Sequence, residues 1–81
     1  MTMQNPLPVS GYKPQSQETI DTVNHNKELE ELSLRTLDAL SLMPNVDKRW
    51  LAIGRTHLEQ AWMAINRSIF QPERIKLDTD Q

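Results

Sequence analysis

The chain has 81 residues, no cysteine, and a net charge of −2 from 9 Lys and Arg against 11 Asp and Glu. That length allows one domain at most, with a core that is marginal unless disulfides, a metal or oligomerisation supplement it. Disulfides and thiolate metal sites are excluded, and the acidic balance argues against a phosphate-tracking face for long nucleic acid.

Residues 1–15 carry three of the five prolines, Pro6, Pro8 and Pro14, together with Gly11. Proline lacks a backbone N–H and resists helix, so an extended arm is predicted over 1–15. The same stretch lacks the basic and apolar regions of a secretory leader, and no apolar run in the sequence approaches membrane-spanning length. A soluble chain without a membrane partner, made and used inside a cell, is expected. Ser16 is the predicted N-cap of a first helix, with Glu18 and Asp21 near its positive end. Helical character continues to about Leu42. Leu29, Leu32, Leu37 and Leu40 supply the apolar face, and Glu28, Glu31, Arg35 and Asp38 the wet one. Asn24, His25 and Asn26 are weak helix formers in a row, so a kink or break is expected there.

Met43, Pro44 and Asn45 form a turn, because Pro44 disfavours helical geometry at the residue before it. Asn45 or Asp47 can cap a second helix, which runs over about 46–70 and is stopped by Pro72. Two such helices on a short loop must lie antiparallel. The fold class is therefore all-α: a helical hairpin over 16–72, an extended arm before it, and a charged tail over 73–81 that should fray. The second helix carries two apolar series. One is Val46, Trp50, Ile53, His57, Ala61 and Ile65; the other, rotated to its side, is Leu51, Leu58, Trp62, Ile65 and Ile69. A single-sided amphipathic helix shows one stripe. Two stripes call for two partners, one inside the chain and one on a neighbouring subunit. A lone hairpin cannot hide Trp50, Trp62, Met63, Ile69 and Phe70 together, and each large apolar side chain left in water forfeits roughly 1.5–3 kcal/mol. A homo-oligomer is expected.

Catalysis finds little support. There is no Ser-His-Asp order, Gly-rich phosphate loop or metal-ligand cluster, and His25 and His57 show no HxxxH pairing. The expectation is a non-enzyme with no catalytic residue, no metal and no cofactor. His57 falls on an apolar series and reads as a packed or interface histidine. His25 reads as a solvated residue or one that touches a ligand. Tyr12, the single tyrosine, either pins the arm to the helices or stacks on a flat base. Lys27 is either a solvated helix lysine or a phosphate contact. Arg67 lies between Ile65 and Ile69, where it either pairs with a carboxylate or joins symmetry-related arginines around an anion.

Certain residues also occur in a specific arrangement. Gly11-Tyr12, Asn24, Lys27, Asp47-x-Arg49-Trp50-Leu51-Ala52-Ile53, Thr56-x-Leu58-x-Gln60, Met63-Ala64 and Arg67 through Pro72 resemble the small phage-encoded anti-CBASS proteins. These are helical-hairpin sponges for the cyclic oligonucleotide signals of bacterial immunity. The resemblance covers roughly residues 9–72 and implies a homo-hexamer of two interlocked trimers, acting in the cytoplasm of the infected host. It implies cyclic dinucleotides, such as 3′,3′-cGAMP, in pockets shared by two subunits, and in some members cyclic trinucleotides at separate three-fold sites. By position, Tyr12 would stack on a base, Lys27 would contact a phosphate, Asn24 would lie close by, and Arg67 would reach trinucleotide phosphates. The sequence departs from the family at Ala61, Trp62, Asn66 and Ser68, where Gly, Phe, Thr and Ala are usual, and at His25-Asn26. The contrasting reading is a structural or regulatory hairpin oligomer acting through protein contacts.

Overall fold

Residues 10–80 are described by a computed structural model. The start of the predicted arm, with Pro6 and Pro8, lies outside them.

Helix α1 spans Gln17–Ser41. Its N-cap is the expected Ser16, in extended geometry, whose Oγ accepts the Thr19 N–H at 3.3 Å and so satisfies one of the otherwise unpaired donors of the first turn. Contrary to the expected break, the helix runs on through Asn24, His25 and Asn26. Asparagine weakens helices because its side chain competes for nearby backbone groups. Asn26 instead donates its Nδ2 to Oδ1 of Asn66 on the second helix at 3.1 Å, which removes that competition. The first helix ends at Ser41 with Leu42 as its C-cap, and its final carbonyls are satisfied locally. The N–H groups of Leu42 and Met43 donate to Ala39 and Leu40, and Lys48 Nζ donates to the Ser41 and Met43 carbonyls at 2.7 and 2.6 Å.

Helix α2 spans Lys48–Phe70. Of the two candidate caps, Asp47 takes the role, its Oδ1 accepting the Trp50 N–H at 3.0 Å. At the other end Gln71 turns into the left-handed region at φ 47°, and its N–H returns to the Arg67 carbonyl at 2.7 Å. Pro72 then bars any continuation.

The cross-helix pairs fix the direction. Asp38 meets Arg55 at 2.7 Å and Asn26 meets Asn66, so one helix ascends as the other descends. Leu51, Leu58, Trp62 and Ile69, all half-buried, follow the same stripe of α2 as Arg55 and Asn66, and this stripe faces α1. Trp50, His57, Ala61 and Ile65 face away from it and stay exposed, Trp50 at 63 %. The second series, Ile65 apart, thus forms the inner face, while the first is mixed, with Val46 and Ile53 half-buried. Packing between the helices is thin. Val23, at 4 % exposure, is the one buried residue among those described. The Cα radius of gyration is 17.6 Å, against roughly 12 Å for a compact chain of this length. No described helix is long and apolar enough to cross a membrane.

Candidate functional site

A groove opens at the end of the hairpin away from the loop, where the arm returns beside the last turns of α2. Its cavity volume is about 560 Å³, within the few-hundred to thousand Å³ of small-ligand sites. From α1 it takes Val23 and Lys27, one turn apart. From α2 it takes Gln60, Met63, Ala64 and Arg67, whose i, i+3, i+4, i+7 spacing puts them on one face. Asn66, Phe70 and Pro72 extend that wall, and Tyr12 closes the side formed by the arm.

The arm is held there by the segment that follows α2. Gly11 has φ +91°, a conformation that glycine adopts without strain. Its carbonyl accepts the Glu73 N–H at 2.5 Å, and a Cβ on Gly11 would overlap the Glu73 carbonyl oxygen. Lys13 Nζ lies 3.6 Å from Glu73 Oε1, and Gln15 Nε2 donates to the Phe70 carbonyl at 3.0 Å. Tyr12 sits between these tethers, 58 % exposed as a residue.

The charge pattern of the groove is one-sided. Lys27 and Arg67 are the charged residues on its wall, and no carboxylate lines it, although the chain carries more acids than bases. Four other cations are occupied, Lys13 with Glu73, Arg35 with Glu31, Arg55 with Asp38, and Lys48 with two carbonyls, while Arg49, Arg74 and Lys76 do not line the groove. Among the described residues the side chains of Lys27 and Arg67 have no such partner. Two unpaired cations beside an aromatic ring, over a floor of Val23, Met63, Ala64 and Phe70, suit a flat anion.

Three of the four residues singled out in the sequence, Tyr12, Lys27 and Arg67, therefore line one groove. Asn24 is exposed on α1 beside Val23 and does not line it, and His25 and His57 are exposed elsewhere. Arg67, expected at a separate site, shares the wall with Tyr12 and Lys27 within the single chain. Gln60, Met63 and Ala64 enter the sequence reading through the family resemblance, Asn66 as a departure from it, and Met63 and Phe70 as surplus apolar surface; none of them is assigned a place at a site there. No group of three or more His, Cys, Asp or Glu among the described residues could hold a metal ion.

Over residues 4–70 the chain matches the family model described as Acb2/Tad1, hairpin domain. Compared with curated proteins, it matches none.

Proposed function

The chain belongs to the Acb2/Tad1 hairpin family, the anti-CBASS cyclic-oligonucleotide sponges, and we propose that it sequesters cyclic dinucleotides such as 3′,3′-cGAMP without cleaving them. The observation that carries this reading is the pair of unpartnered cations, Lys27 and Arg67, in a groove that has Tyr12 on its wall and no carboxylate. A cyclic dinucleotide is a compact dianion with two flat bases. Tyr12 would stack on a base, and Lys27 would meet a phosphate with a charge-assisted hydrogen bond. Binding lowers the free signal by mass action, so the CBASS effector stays inactive. The setting proposed is immune evasion by a phage, in the cytoplasm of the infected bacterium.

The same reading includes assembly. The outer face of α2 leaves Trp50 and Ile65 exposed, apolar surface that a second copy would cover, and the family resemblance favours a homo-hexamer. In that assembly Arg67 residues from related chains would gather to bind a cyclic trinucleotide. The test is calorimetric titration with a panel of cyclic di- and trinucleotides, followed by recovery of the ligand after heat denaturation. Intact ligand is expected back; linear products would make the chain an enzyme, and no heat with any ligand would favour a scaffold. Arg67→Ala separates two placements: loss of trinucleotides alone puts Arg67 at the shared site, and loss of both puts it in the groove.

A further inference from the structure

We propose that the segment after α2 belongs to the ligand site, with Glu73 as the positioning residue that sets where Tyr12 stands; this rests on the reading that the groove takes a cyclic dinucleotide. The segment reads in sequence as a charged tail with few apolar residues, and the family match stops at residue 70, short of it. The geometry gives it a task.

Tyr12 lies on irregular backbone between Gly11 and Lys13, and both neighbours are fastened to the same residue. The Gly11 carbonyl takes the Glu73 N–H at 2.5 Å, and the Lys13 ammonium reaches the Glu73 carboxylate at 3.6 Å. Behind them Gln15 Nε2 bridges the Phe70 and Lys13 carbonyls at 3.0 and 3.2 Å. An extended arm has few internal hydrogen bonds, so without these tethers the ring would sample many positions, and stacking would have to order it at each binding event. The two fastenings differ in weight. The Lys13–Glu73 pair is solvent-exposed and contributes little. The backbone bond and the fit of Gly11 against the Glu73 carbonyl, with Ile75 Cγ2 only 3.4 Å from where a Gly11 Cβ would stand, carry most of the clasp. The arm approaches this closely because position 11 has no side chain.

The chain's one tyrosine gives a direct readout. Full-length protein with fluorotyrosine at position 12 is studied by fluorine NMR, and titrated calorimetrically with 3′,3′-cGAMP. Glu73→Pro removes the N–H donor, and Gly11→Ala drives a Cβ into the Glu73 carbonyl. Each is expected to move the fluorine resonance toward that of free fluorotyrosine and to weaken binding about tenfold, the scale of one lost base stack. Helicity and oligomer size, measured alongside, identify a variant that has simply misfolded, and the second variant then carries the test. Combined with Tyr12→Ala, Glu73→Pro should cost nothing further. An equal loss in the Tyr12→Ala background would overturn the proposal, as would an unchanged resonance and affinity in both variants. If the resonance responds but the parent protein binds no cyclic dinucleotide, Glu73 still sets the place of Tyr12, and it is the ligand reading that fails.

Discussion

The two ends of the hairpin use their cations differently. At the loop end Lys48 closes the carbonyls of α1, Asp47 caps α2, and Arg55 bridges to Asp38. Each of these four charges is spent on the fold. At the open end Lys27 and Arg67 face a groove with no counter-charge, although carboxylates are plentiful elsewhere on α1. A helix surface rich in Glu could have neutralised them at i±3 or i±4 spacing. Lys27 does have Glu30 and Glu31 at those spacings, yet neither pairs with it, and Glu31 is taken by Arg35. One end is finished as a structure, and the other carries two cations that the fold leaves without a counter-charge.

Reversing a charge at the open end should have the largest effect. Lys27→Glu is expected to abolish cyclic dinucleotide binding in calorimetry, a loss of roughly 3 kcal/mol or more from a missing charged hydrogen bond and a new repulsion. Helicity by circular dichroism should stay at the parent level, because Lys27 holds no structural contact. A variant that binds normally would erase the distinction between the ends. Asp47→Ala should act the other way, lowering stability by about 1 kcal/mol through the lost N-cap, with ligand affinity retained. Lys48→Met keeps the side-chain stem but removes the donor to two carbonyls. It should cost about 1 kcal/mol, seen as a melting shift of roughly 4–8 °C at fixed protein concentration. Arg55→Ala should be smallest, within about 0.5 kcal/mol, since its partner Asp38 is largely solvated. If Arg55→Ala instead proved the most destabilising of these, the loop end would depend on its ion pair more than on its caps.

Much of the hairpin is legible in the sequence because local chemistry and the fold agree. Pro44 and Pro72 bound the second helix, and Ser16 and Asp47 cap the two helices as side-chain oxygens do. Of the doubled apolar series of α2, Leu51, Leu58, Trp62 and Ile69 form the inner face and Trp50, His57 and Ala61 stay outside, while Val46 and Ile53 of the outer series are half-buried. The break at Asn24–Asn26 is absent because helix propensity is a local quantity, and Asn26 is engaged by a residue forty positions away. The groove is half legible. Gln60, Met63, Ala64 and Arg67 share a face by periodicity, and Lys27 follows Val23 by one turn. The seat of the arm is not legible at all. Gly11 signals that some backbone can come close, but irregular segments have no period from which its partner, Glu73, could be read.

The amide contact between Asn26 and Asn66 has one more effect. Greasy seams tolerate sliding, since one leucine replaces another after a turn, whereas a lone polar rung is satisfied at a single offset. Displacing one rod against the other by a turn would carry Lys27 about 5.4 Å along the axis from Arg67. The spacing between two positive charges is thus set like a vernier, by a neutral pair adjacent in sequence to each of them.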